Sequence, residues 1–321
     1  MKVHRELAGS LPEFKKAVVT IGTFDGVHLG HRQIIAQMKE EAARIGGETV
    51  IITFHPHPRK IVSSVPGDIK LLSTLTEKIH LLEAAGVDHL VVVPFDHRFA
   101  NQTAEQYVKD FLYHYFKPHT VIIGYDHRFG KGREGDYHLL KSYGQSLGFE
   151  VKEISEQLIN EIVVSSTRIR RAIAENDSAT ANRFLGYPYF FEGVVIEGNK
   201  LGRTIGFPTA NLHISSEEKL IPGNGVYAVT VALNPETQPT DPKPGNLYKG
   251  MMNIGLRPTV DGKKRVIEVN IFDFNKDIYG QILQVHLQQY LRGEVKFNGL
   301  DELKAQLNQD RQDAIRCLAG I

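Results

Sequence analysis

The sequence has a single cysteine, Cys317, so no intramolecular disulfide can form, and such usage suits a reducing cytoplasm. It has almost no net charge: 38 basic and 37 acidic side chains leave +1. That excludes a global field drawing the molecule onto nucleic acid or an anionic membrane. An anionic ligand therefore has to be held by a local arrangement of charges and amides. No apolar run reaches membrane-spanning length. Met1–Lys16, charged at both ends, contains no run long enough for a signal peptide. Small molecules are the expected partners, with no nucleic acid and no membrane, and the composition leaves self-association open. Internal repeats and low-complexity tracts are absent too.

What is present is the balance of a globular protein with a sizeable core: 41% hydrophobic and 23% charged residues over 321 positions, a length that suggests two domains. The first half alternates short β-rich runs with amphipathic segments. Ala17–Ile21, Thr49–Phe54, His89–Val93, Thr120–Ile123 and Glu150–Ile154 read as strands buried on both faces of a parallel sheet. Between them, Ile34, Ile35, Met38, Ala42 and Ile45 trace a helical face stopped by Gly46-Gly47. Thr74 and Glu77 have capping-box spacing ahead of Ile79, Leu82 and Ala85, and Thr103 with Gln106 repeats it. This rhythm predicts a doubly wound, Rossmann-like α/β domain.

The rhythm stops after the basic helix Thr167–Ala174. Phe190–Ile196, Val226–Leu233, Tyr248–Asn253, Arg265–Phe272 and Ile282–Gln289 then follow without long helices between them. Asn234–Asn246, with four prolines, reads as an exposed hairpin loop. Leu300, Leu303, Leu307, Ile315 and Leu318 return to helical spacing at the end. A run of strands closed by one helix predicts a small β-barrel. Gly186-Tyr187-Pro188 interrupts both patterns and sets the expected domains at 1–185 and 186–321.

Two segments of the first domain carry chemistry. Gly22-Thr23-Phe24-Asp25-Gly26-Val27-His28-Leu29-Gly30-His31 follows a strand and opens a helix, where free amides and the helix dipole favour phosphate. His28 and His31 share a helical face and can donate to phosphate oxygens as charge builds in a transition state. Their spacing alone equally suits surface histidines or a metal. Ser165-Ser166-Thr167-Arg168 places hydroxyls before a basic helix, as a cap with Arg168 free to reach phosphate or as a plain cap on a solvated face. Two loops, Phe54-His55-Pro56-His57-Pro58 and Gly124-Tyr125-Asp126-His127-Arg128-Phe129-Gly130-Lys131-Gly132-Arg133, follow strands at the same rim, where Phe54 suits packing as well as ligand contact.

The second half lacks the G-x-x-x-x-G-K-[ST] loop and the protein-kinase motif set. It has Gly202-Arg203-Thr204-Ile205-Gly206-Phe207-Pro208-Thr209-Ala210-Asn211, in which two glycines allow close backbone approach. Thr209 and Asn211 in extended backbone point to one side, and their oxygens are hard enough for Mg²⁺. Taken alone, the stretch also suits a glycine-proline turn before a polar strand. In Val266–Phe272, Ile267, Val269 and Ile271 take one face and leave Glu268 on the other with Asn270.

Across almost the whole chain these segments resemble the bacterial bifunctional riboflavin kinase/FAD synthetases. The Gly22–His31 loop with Ser165–Arg168 is similar to the nucleotidylyltransferase superfamily, and the rim loops narrow this to the FMN adenylyltransferase module. Gly225–Val229, Asn253–Thr259, Asp277–Gly280 and Leu291-Arg292 fall in the order of a riboflavin kinase domain. The resemblance implies ATP contacts at Gly22, Thr23, Phe24, Asp25, His28, His31, Ser165, Ser166, Thr167 and Arg168, with His28, His31 and Arg168 stabilising charge. It implies flavin contacts at Phe54, His57 and Asp126. In the second domain it implies ATP at Gly202, Gly206, Phe207, Thr209 and Asn211, Mg²⁺ at Thr209 and Asn211, Glu268 as general base, and Arg292 against the flavin. Riboflavin would become FMN there, and FMN would become FAD in the first domain, each step with ATP as co-substrate. The sequence departs from the family at Val164, where Ile is frequent, and at His127, where Phe is common. A tRNA-dependent relative is disfavoured by the missing basic composition in the second half. A non-catalytic flavin binder would not need His28, His31 and Glu268 together.

Overall fold

The computed structural model describes residues 1–5, 7, 11–62, 69–154, 164–235, 247–259 and 262–321. Most of the expected hairpin loop Asn234–Asn246 lies outside them. Contacts divide the chain into two compact units, Met1–Ile69 with Leu75–Ser165, and Lys70–Thr74 with Ser166–Ile321.

The first unit holds six parallel strands, β1 (Lys2–His4), β2 (Val18–Ile21), β3 (Thr49–His55), β4 (His89–Pro94), β5 (Thr120–Gly124) and β6 (Glu150–Ile154), in the order β1-β4-β3-β2-β5-β6. Every residue of β2 is buried, and so are the first five of β3 and of β4. Each Val, Ile or Leu taken from water there contributes roughly 1.5–3 kcal/mol. β6 departs from the expectation of burial on both faces. It is an edge strand, and only Ile154 at its end is buried. β1 carries no apolar alternation and escapes sequence reading.

Helix Leu29–Ile45 turns Ile35, Met38 and Ala42 inward and ends at Gly46. The cap at Thr103 is reciprocal: Gln106 N donates to Thr103 Oγ1 at 3.2 Å, and Thr103 N donates to Gln106 Oε1 at 3.0 Å. Helix Leu75–Ala84 is rotated from the expected face, because Glu77, Lys78, Leu81 and Leu82 are buried while Ile79 is only half-buried.

The second unit is a closed antiparallel barrel. Its strands are β7 (Phe190–Ile196), β8 (Ala210–His213), β9 (Gly225–Leu233), β10 (Leu247–Thr259), β11 (Gly262–Ile271) and β12 (Ile282–Arg292), in the order β10-β11-β8-β7-β12-β9. β8, whose sequence is Ala-Asn-Leu-His, has no β-branched residue to announce it, yet it bridges β7 and β11 and so closes the barrel. Register shifts late in the β12–β9 ladder bend the end of β12. Helix Leu300–Cys317 packs Leu307, Ala314 and Cys317 with the following Leu318 against Phe207, Ala228, Met251 and Phe272. Ile315 was expected on that face but is 46% exposed, because the buried stripe runs through Leu303, Leu307, Asp310 and Ala314.

Helices Ser166–Ala174 and Ser178–Leu185 cluster with the barrel. Asn182 Nδ2 donates to the Leu287 carbonyl at 2.8 Å, Asn182 Oδ1 accepts from Tyr189 N at 2.8 Å, and Ser178 Oγ accepts from Tyr290 N at 3.1 Å. The contacts therefore part between Ser165 and Ser166, ahead of the Gly186-Tyr187-Pro188 break.

Candidate functional site

In the first unit the chain winds outward from β2 through β3 and β4, then returns to place β5 on the opposite side of β2. The loops leaving β2 and β5 thus flank the point where strand order reverses, the usual ligand crevice of such sheets. After β2 the backbone is contorted: Phe24, Gly26 and Val27 have φ of 47°, 79° and 38°. A β-branched residue in the left-handed region is costly, and strain of this kind persists where surrounding structure imposes it.

His28 then caps helix Leu29–Ile45 with extended backbone and no side-chain bond to the helix amides, and the first turn carries no acidic residue. The helix N-terminus is left suited to an anion. The rings of His28 and His31 stack with centroids 3.7 Å apart, and the Phe24 ring lies tilted with its centroid 4.8 Å from that of His31. Gly30 permits the stack, since a Cβ there would come within 3.3 Å of the His28 ring. His31 Nδ1 is buried with no hydrogen-bond partner among the described residues. Burial first, then His28 and Lys78, hold His31 well below the ordinary imidazole range. At neutral pH its ring is uncharged, with one N–H to donate.

Lys78 is the participant that sequence reading missed. It is buried, and its Nζ donates to Thr53 Oγ1 at 3.4 Å. Thr53 Oγ1 in turn donates to the Thr23 carbonyl at 3.2 Å. An acid-or-lysine pair inside an otherwise apolar helical face was the available signal.

The other expected residues are dispersed. Phe54 packs against Phe95 and Phe99, centroids 5.3 and 5.4 Å away. His57 is buried and its Nδ1 accepts from Arg59 N at 3.2 Å. Asp126 is exposed after β5. Neighbouring His127 has its Nε2 buried with no partner among the described residues, and burial is the main cause pushing its pKa down to about 4. Ser165 ends the first unit, whereas Ser166, Thr167 and Arg168 open helix Ser166–Ala174 of the second. Arg168 is exposed, its guanidinium 5.9 Å from the Phe184 ring.

In the barrel, Glu268 of β11 lies between Asn211 of β8 and Asn253 of β10 as their direct cross-strand partner. Arg257 donates to Glu268 Oε1 at 2.7 Å and Thr209 Oγ1 approaches the same oxygen at 3.5 Å. Oε2 accepts no bond among the described residues. Asn270 Nδ2 donates to the Pro208 carbonyl at 2.7 Å and fixes the approach to Thr209. Gly206 has φ of 88°, which requires glycine, and a Cβ on Gly202 would collide with the Phe207 carbonyl.

Two cavities meet at Thr209. One, of about 290 Å³, is lined by Phe207, Met251, Glu268, Arg292, Glu294 and Leu303 among others. The second, of about 500 Å³, is lined by Arg203, Pro208, Phe274, Lys276, Asp277 and Tyr279 among others. Arg292 borders the first cavity, but its guanidinium is committed. Nε and a terminal nitrogen donate to both oxygens of Asp310 at 2.7 and 2.6 Å, and the other terminal nitrogen donates to the Gly293 carbonyl at 2.8 Å.

A family model described as FAD synthetase matches residues 11–168, and one described as riboflavin kinase matches residues 185–318. A bifunctional riboflavin kinase/FMN adenylyltransferase of Haemophilus influenzae is 36% identical over 98% of both chains. The chain belongs to the bifunctional riboflavin kinase/FMN adenylyltransferase family. Relatives of the same description from Listeria monocytogenes and Escherichia coli are 41% and 39% identical over 92% of this chain, covering 90% and 91% of theirs. A solved structure from Streptococcus pneumoniae, described as a macrolide-efflux protein, matches with a TM-score of 0.83 and 30% identity over 97% of each chain. Among the described residues no helix is long and apolar enough to cross a membrane. Phosphoryl transfer to riboflavin and adenylyl transfer to FMN are the two chemistries that the family's halves serve.

Proposed function

We propose that this chain makes FMN in the barrel and FAD at the carboxyl edge of the parallel sheet, using ATP for each step. The observation that carries the kinase assignment is Glu268 facing Asn211 across the ladder, beside a threonine shared by two cavities. Riboflavin takes the cavity lined by Phe207 and Met251, and ATP takes the one lined by Arg203 and Lys276. The ribityl hydroxyl gives its proton to Oε2 of Glu268 as its oxygen bonds to the γ-phosphorus. The bond to the β-bridging oxygen breaks, and ADP leaves. Arg257 holds the other carboxylate oxygen and so orients the base.

Thr209 and Asn211 offer hydroxyl and amide oxygens, a donor set that fits Mg²⁺ alongside ATP phosphates. Bound there, Mg²⁺ would neutralise charge on the transferring group. Arg292 serves the flavin cavity by tying its wall to helix Leu300–Cys317 through Asp310.

At the sheet, an FMN phosphate oxygen attacks the α-phosphorus of ATP and pyrophosphate departs, with no covalent enzyme intermediate. His28 and His31 donate to the oxygens that gain charge, and the loop Gly22–Asp25 presents its backbone to the nucleotide. The hydroxyls of Ser165, Ser166 and Thr167 and the guanidinium of Arg168 are groups suited to phosphate, and His57 and Asp126 stand at the rim for the flavin. Phe54 contributes mainly by packing that rim. Replacing His28 or His31 with Ala is expected to lower FAD formation by about 10²-fold while riboflavin phosphorylation continues. Chromatographic separation of the flavins after incubation with riboflavin and ATP reads both steps, and normal FAD synthesis by both variants would remove the assignment.

The two activities divide at 1–185 and 186–321, a border supported by family models that end at 168 and begin at 185. A fragment of residues 186–321 is expected to phosphorylate riboflavin but to melt below one starting at Ser166, because it loses the bonds from Ser178 and Asn182 to β12 and its neighbour Tyr189. Equal melting temperatures would show that those helices contribute nothing to the barrel. The single cysteine and the small-molecule substrates support a cytoplasmic enzyme with no nucleic-acid or membrane partner.

A further inference from the structure

Two buried lysines among the described residues have different company. Lys219 gives its Nζ to the Leu72 carbonyl at 2.7 Å and lies 4.7 Å over the ring of Tyr189, as a structural cation should. Lys78 is 6% exposed, and among the described residues its ammonium makes one hydrogen bond, at 3.4 Å to Thr53 Oγ1. An ammonium buried with so little compensation is expensive, and proteins usually replace it with an apolar residue unless it serves something else. What surrounds it is the proposed adenylyl-transfer loop. Asp25 attracts it, His31 shares its field, and its Thr53 partner bonds to the Thr23 carbonyl.

We propose that Lys78 is a positioning residue of adenylyl transfer, its buried ammonium anchoring the Thr23–Asp25 segment through Thr53. The inference rests on reading Gly22–His31 as the adenylyl-transfer site.

The electrostatics agree with the geometry. Burial is the main influence on Lys78 and brings its pKa down to about 8, while Asp25 of the loop acts in the opposite direction. The group is charged at neutral pH and loses its proton a little above it. While charged, it adds to the burial and the neighbouring His28 that keep His31 of helix Leu29–Ile45 unprotonated. From β3 the facing group is the neutral hydroxyl of Thr53. Deprotonation removes the attraction to Asp25 and slackens a loop whose backbone is already strained.

The test uses the full chain, with FMN formation from riboflavin as an internal control. In the wild type, the turnover number for converting FMN to FAD should fall as pH rises through about 8, a limb that the kinase reaction lacks. Lys78→Arg keeps the charge and should abolish that limb. Lys78→Met should reduce FAD formation by about 10²-fold, acting on the turnover number more than on KM, with kinase activity retained and a melting temperature no lower than wild type. A purely structural lysine would give the reverse, a lowered melt with the pH profile unmoved. The proposal is overturned by a wild-type profile flat through that range, or by Lys78→Met forming FAD at the wild-type rate. His28→Ala is measured alongside. If it too leaves FAD formation intact, the site reading has failed; if only Lys78→Met does, the failure belongs to Lys78.

Discussion

Glu268→Gln is expected to cut FMN formation from riboflavin by about 10³-fold, within the usual range for loss of a general base, while added FMN is still converted to FAD. The substitution changes little else. Gln keeps the shape of Glu, its amide oxygen can still accept from Arg257, and its place opposite Asn211 and Asn253 is set by the ladder. The ability of Oε2 to take a proton is lost, and the ion pair with Arg257 becomes a hydrogen bond to a neutral oxygen. Separating flavins from parallel incubations with riboflavin and with FMN measures both halves in one sample. Unchanged kinase turnover would rule out Glu268 as the base and turn attention to its neighbours at the meeting point of the two cavities.

The largest effect on stability is expected from Asp310→Ala. Asp310 is 1% exposed and accepts from Arg292 through both oxygens, with Gln306 Nε2 donating at 2.9 Å as well. Its removal leaves a half-buried guanidinium with only the Gly293 carbonyl as partner among the described residues. Breaking a buried pair in this way costs about 3–5 kcal/mol. Urea unfolding, followed by loss of riboflavin kinase activity, should show the midpoint moving down by a matching amount. A double variant, Arg292→Met with Asp310→Leu, should recover much of that loss, because two apolar side chains can occupy the space without stranding a charge. If the single variant were as stable as the wild type, the pair would have no part in attaching the helix to β12.

Sequence exposed those features whose signal is local. The buried strands β2 to β5 announced themselves through unbroken Val and Ile, and the cap at Thr103 through one spacing. β8 showed only as a polar extended stretch after Pro208, because pairing with β7 and β11 is what makes Ala-Asn-Leu-His a barrel strand. Ile315 was misplaced because its helix buries Asp310 on the inner stripe, where a periodicity argument looks for hydrocarbons. The same bias hid Lys78, a polar residue on a buried face whose purpose appears only once the loop after β2 lies beside it. Glu268 lies more than fifty residues from the Thr209–Asn211 segment, so their meeting depends on barrel closure and not on any spacing between them. Helices Ser166–Ala174 and Ser178–Leu185 look like a continuation of the preceding α/β rhythm, and nothing local reveals that they cluster with the strands that follow.

The barrel and the open sheet face different hazards of self-association. Closure gives each barrel strand two partners, which leaves no edge for a foreign strand to join. The parallel sheet keeps β6 at one margin, and there the chain reads Glu-Val-Lys-Glu-Ile. Glu150, Lys152 and Glu153 put charge along that margin, and Lys152 is held at 2.8 Å by the buried Glu41. A second sheet pairing there would have to bring these charges against its own backbone. The polar character that makes β6 a poor contributor to the core thus also makes that margin of the sheet a poor template for a foreign strand.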